Sequence, residues 1–272
     1  MRQFFTLRFQ PTAETIRAMV AVVAYIIILG AMLTFVAPRS GSLAGNIITL
    51  SYLVMFAVVL VFVRQRGDFA AVGIARDRWL VATILGGLIG GLGLLGIINA
   101  FPGGTFLIPA WPSLLALLAA GLSAGPIEDM ALYGYFQFRL EEAFGPPVAV
   151  LGSALAWTLA HGAVLSMRRA GAFAARRVGV SSFLVSLFIA FFVIGLIVHF
   201  TRNIWAGVVQ NAVMGNVLTN LYMFSVMPDE VFIANPDILP VSLLVALFVL
   251  AGLAWMGYSL SRSRSCIEKK RV

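Results

Sequence analysis

The chain has 272 residues, 61% of them hydrophobic and only 11% charged, with a mean hydropathy of +0.98. A soluble domain is about a quarter charged, so this chain lacks the polar surface for a water-facing fold and most of its exterior must meet lipid. The net charge of +8 then reads as arginines in cytoplasmic loops rather than as a nucleic-acid footprint, and no nucleic-acid partner is expected.

Residues 1–15 carry arginines but no compact apolar run ahead of a small-residue cleavage site, so no removable signal peptide is expected. A membrane span needs about 20 mainly apolar residues. Eight stretches qualify: 18–36, 43–63, 79–98, 113–138, 147–167, 181–200, 204–224 and 238–260. The expected fold class is therefore all-α, one polytopic transmembrane helical bundle over residues 1–272 with about eight spans. The third stretch holds Gly86, Gly87, Gly90, Gly91, Gly93 and Gly96. Their small-xxx-small spacing brings helix backbones close, and we read it as packing rather than phosphate binding.

Most Lys and Arg fall on one side if both termini are cytoplasmic, and the compact loops point to a prokaryotic plasma membrane. Arg168, Arg169, Arg176 and Arg177 break that bias, whereas the loop with Asp229, Glu230 and Asp237 suits the outside. The basic tail 261–272, with Lys269, Lys270 and Arg271, is expected to meet anionic head groups of the bilayer. Its Cys266 is the one cysteine, which excludes a disulfide framework. With only His161 and His199 as histidines, no tight zinc site and no cofactor are expected, and metal dependence stays open.

An ionisable group at the centre of a span costs about 2.5–3.5 kcal/mol on insertion scales. The fourth stretch nevertheless holds Glu128 and Asp129 side by side. Adjacent helical side chains diverge by about 100°, so one is expected to enter a cavity while the other holds a neighbouring helix. Pro126, with Gly121 and Gly125 before it, predicts a kink at this depth. Trp157 and His161 share one face of the fifth stretch. In the seventh, Asn203, Gln210, Asn216 and Asn220 read as amide glue between helices, with Asn211 set apart as the exception. At about 1.5 Å per residue, Glu128 lies about 16 Å from Arg139, His161 about 21 Å from Pro147 and Asn211 about 10 Å from Ile204. Those depths allow one shared cavity opening inward.

The run Gly125-Pro-Ile-Glu128-Asp129-Met-Ala-Leu-Tyr133-Gly134 resembles the first motif, Glu-Glu-x-x-x-Arg, of the CPBP family of intramembrane proteases, which includes the CAAX prenyl-protein endopeptidases. Trp157-Thr-Leu-Ala-His161 resembles the second motif, an aromatic residue ahead of a histidine. Asn203 to Asn211 resembles the approach to the third, His-x-x-x-Asn, and Val72-Gly-Ile-Ala-Arg76 a segment upstream of the family's third helix. The resemblance covers about residues 70–220 and implies a CPBP-like core there.

The departures are Asp129 for the second Glu, Tyr133 for the Arg, Asn211 for the third-motif His and Gly215 for its Asn, with Asn216 one residue late. By resemblance, Glu128 is the general base that activates water, His161 its partner, and Asn211 an oxyanion donor, with Asp129, Tyr133 and Trp157 in support. A buried carboxylate is a competent base and an amide a competent oxyanion donor. The implied activity is endoproteolysis of a membrane-associated peptide or protein. The rival is a catalytically impaired relative that binds or chaperones a membrane partner, favoured by Tyr133 and Asn211. A small transporter using Glu128 and His161 is the third reading.

Overall fold

The computed structural model describes residues 4–32, 41–66, 69–74, 77–167, 180–226, 239–241, 243–252 and 254–255, and every long element among them is helical. The expectations for the Arg168–Arg177 loop, the acidic loop and the basic tail lie outside the described residues. Helix α1 (Ala13–Ala31) begins ahead of the first expected span, because Thr12 caps it: Thr12 Oγ1 accepts the Thr15 N–H at 3.1 Å, satisfying a donor that the first turn would otherwise orphan. Helix α2 (Gly41–Arg66) returns and is followed by a 3-10 turn, Phe69–Val72.

Helix α3 is Trp79–Ala100, and α4 is Trp111–Asp129. A π-helical stretch, Met130–Gln137, continues α4 into α5 (Phe138–Phe144), and α6 (Pro146–Met167) turns back. Then come α7 (Val180–Thr201), α8 (Trp205–Gln210), a second π stretch (Asn211–Asn216), α9 (Leu218–Val226) and α10 (Leu239–Gly252). The chain is an integral membrane protein. Helices Ala13–Ala31, Trp79–Asn99 and Leu184–Thr201 are each long and apolar enough to cross a bilayer, and Thr49–Arg64 and Leu239–Gly252 are shorter apolar helices.

The glycines of α3 serve the packing expected of them. A Cβ on Gly86 would strike the Ala206 backbone; one on Gly90 would lie 2.9 Å from Val213 Cβ, and one on Gly93 would strike Met214. Thus α3 lies directly against α8 and the second π stretch, while Gly91 and Gly96 face open space. The 3-10 turn presses on the first π stretch in the same way, because a Cβ on Gly134 would strike the Val72 carbonyl. Gly73, at φ +78°, then offers its carbonyl to the Ile204 N–H at 2.9 Å. These close approaches deliver α4 and the Asn211 stretch to one another.

Both ends of the bundle are stitched by polar bonds. At one end, the 101–110 connection lies on α9: Tyr222 donates its hydroxyl to Phe101 O at 2.6 Å, and Ser225 Oγ accepts the Thr105 N–H at 2.9 Å. At the other, Arg139 meets Glu14 at 3.3 Å, and Glu141 accepts from Arg202 and pairs with His199 Nδ1 at 3.0 Å. Burial alone would push the Glu141 carboxyl up; the His199 hydrogen bond and the Arg202 guanidinium outweigh it and hold the group below its ordinary value.

Candidate active site

Pro126 lies inside α4 and has no N–H to give, so the helix loses a backbone bond just before the acids. The π stretch opens directly after Asp129. Such stretches are rare and often mark functional positions, and the second one opens at Asn211 itself.

The two acids part as their adjacency requires. Asp129 is fully buried, and Asn211 Nδ2 donates to both its Oδ1 and its Oδ2 at 3.2 Å. Gly207 admits that carboxylate: a Cβ there would strike Asp129 Oδ1 and come 3.1 Å from the Tyr133 ring. Glu128, half-buried, turns instead toward α1 and α2, where it is hydrogen-bonded with Tyr52 and lies near Tyr25. Tyr25 is itself hydrogen-bonded with Ser51.

From Asp129 an aromatic series leads to the histidine. The Tyr133 ring lies 5.8 Å from Trp157, and Trp157 lies 5.3 Å from His161 and 5.0 Å from Phe191. Tyr133, standing where the motif has an arginine, donates its hydroxyl to the Phe191 carbonyl at 3.3 Å and so ties the first π stretch to α7. His161 Nδ1 lies 3.1 Å from the Trp157 carbonyl one turn back, which fixes the ring's orientation on α6. The buried Trp157 Nε1 has no hydrogen-bond partner among the described residues. A site that receives a polar group from substrate or water would supply one.

The geometry thus joins Asp129 with Asn211, and Tyr133 with Trp157 and His161, while Glu128 occupies the adjacent face of the same helix. Tyr25, Tyr52, Gly207 and Phe191 were not foreseen from sequence; single tyrosines in apolar stretches resemble interfacial anchors. Gln137 was also missed: its Nε2 donates to Gly195 O at 2.9 Å, and its Oε1 accepts from Ser153 at 2.8 Å, clamping α6 and α7 to the π stretch. Asn203 acts as the glue expected, giving Nδ2 to Asp77 O at 3.2 Å and accepting the Trp205 N–H at 3.0 Å. Among the described residues no three His, Cys, Asp or Glu side chains form a group able to hold a metal ion.

Residues 109–224 match the family model described as type II CAAX prenyl endopeptidase Rce1-like. The match spans Glu128, Asp129, Tyr133, Trp157, His161 and Asn211, and excludes Tyr25 and Tyr52. No curated protein and no solved structure matches the chain significantly.

Proposed function

We propose, from the place of residues 109–224 in the type II CAAX prenyl endopeptidase Rce1-like family, that this membrane protein is an intramembrane endopeptidase acting on a membrane-associated peptide or protein. In this reading the chain crosses a prokaryotic plasma membrane about eight times, with both termini cytoplasmic. Glu128 takes a proton from a water molecule as the water oxygen attacks the scissile carbonyl carbon. His161 orients that water, the Asn211 amide donates to the oxyanion, and the proton passes to the leaving amine as the C–N bond breaks. Asp129 holds Asn211 in place, and Tyr133 and Trp157 seat His161. The observation that supports the reading is the contact of one Asn211 Nδ2 N–H with both Asp129 oxygens, which leaves the second N–H for the oxyanion and lies within the matched segment.

A second reading, a relative that binds membrane partners without cleaving them, draws on Glu128 being bonded with Tyr52 and on the neutral Tyr133 at the motif's arginine position. Quantitative membrane-peptide proteomics on cells with wild type, Glu128→Gln or no protein separates the two. The protease reading expects a precursor to accumulate equally in the null and in Glu128→Gln, with its fragment only in wild type. If Glu128→Gln restores everything that wild type does, the scaffold reading replaces it.

A further inference from the structure

The planes at which helices leave the bundle locate a segment that neither the family match nor the candidate site uses. Helix α1 starts at Ala13, α6 starts at Pro146 and α7 ends at Thr201. After a turn at residues 4–5, the chain runs across this end to residue 12 as a strap fixed by backbone bonds: the Arg8 N–H donates to Phe144 O at 3.1 Å and the Gln10 N–H to Ala143 O at 2.8 Å. Those bonds occupy carbonyls that the end of α5 leaves free. The close approach of Gly145, at φ +89°, to the Thr6 carbonyl lets the strap lie flat. Its first ring, Phe4, is anchored between His199 and Phe200, with centroids at 5.3 and 5.9 Å.

Fixed in this way, the strap still holds large apolar side chains outward: Phe5 is 75% exposed, Leu7 69% and Phe9 81%. Just after the strap, α1 exposes Ile16, Val20, Val23 and Ile27 as one apolar stripe at helical spacing. The polar side of the strap looks the other way. Arg8 lines a cavity of about 420 Å³ together with Arg139, Glu141, Glu142 and Arg202. Apolar residues outward, an arginine beside the charged end and a position level with three helix ends are the marks of a segment lying in the bilayer interface.

We propose that residues 4–12 are an interfacial anchor, with Phe5, Leu7 and Phe9 inserted at the boundary between head groups and acyl chains and their occupant a lipid surface. Arg17, exposed near the start of α1, meets its phosphates, while Arg8 stays with the charged cavity. The anchor fixes the height of α1 and the Glu14–Arg139 bond relative to the membrane.

The test is spin-label depth measurement on the full chain in phosphatidylcholine/phosphatidylglycerol vesicles. Single labels are placed by Phe5→Cys, Leu7→Cys and Phe9→Cys in a Cys266→Ser background, with Ile16→Cys as the lipid reference. All three strap labels are expected to collide more often with oxygen than with a water-soluble nickel reagent, at depths shallower than Ile16. Greater collision with nickel overturns the proposal. Poor access to both reagents also overturns it, because the strap is then covered by protein, a second copy included. As a control for the label itself, Phe5→Ser/Leu7→Ser/Phe9→Ser is expected to speed amide exchange at Arg8 and Gln10 in vesicles; exchange equal to wild type also counts against the anchor.

Discussion

Glu128 and Asp129 are neighbours in sequence with opposite surroundings. Asp129 points into the bundle, receives both hydrogen bonds from one amide and is excluded from solvent. Glu128 points toward α1 and α2, outside the segment that matches the family, and is hydrogen-bonded with one tyrosine hydroxyl. A pair of adjacent acids in one helix is therefore two separate sites. One acid holds elements together; the other, in the protease reading, is the one that exchanges partners during the reaction.

The largest effect is expected where that division is sterically enforced. Gly207→Leu drives a side chain into Asp129 and Tyr133 and should cost about 3 kcal/mol, as overpacking does. The check is a fall in Tm in detergent together with loss of any cleavage. Asn211→Ala leaves the Asp129 carboxylate without its donor, which should cost about 1–3 kcal/mol and, in the protease reading, about 10²–10³ in kcat. Tyr52→Phe touches only the Glu128 face and should cost about 1 kcal/mol. Its Tm should fall less than that of Asn211→Ala; the reverse order would erase the distinction between the faces.

How much of this could be read in advance depended on whether the cause was local. The close packing of α3 was legible because the spacing of Gly86 and Gly90 is itself the cause. The parting of Glu128 and Asp129 was legible from helical rotation alone. The two π stretches were not: Met130–Gln137 and Asn211–Asn216 have no compositional signal that separates them from α-helix. Nor was the tie between Tyr52 and Glu128 legible, because it joins residues far apart in the chain. Tyr133 was legible as a departure from the motif, but its hydrogen bond to the Phe191 carbonyl required the fold.

The smallest expected effect lies away from both acids. Glu141 is held below its ordinary value by His199 and Arg202, which together outweigh its burial. Its contribution to stability is therefore complete above the ordinary carboxylate range near pH 4.3 and is lost as pH falls through the depressed folded value. Tm measured from pH 7 to pH 3 should fall less steeply in Glu141→Gln than in wild type, and parallel profiles would remove this group from the account.

The most direct test of the central claim compares Glu128→Gln and Asp129→Asn, reconstituted in vesicles with the precursor that proteomics identifies, at equal folded protein. Glu128→Gln is expected to keep a wild-type Tm and lose cleavage by at least about 10², while Asp129→Asn loses Tm first. A Glu128→Gln protein that cleaves at the wild-type rate would contradict it.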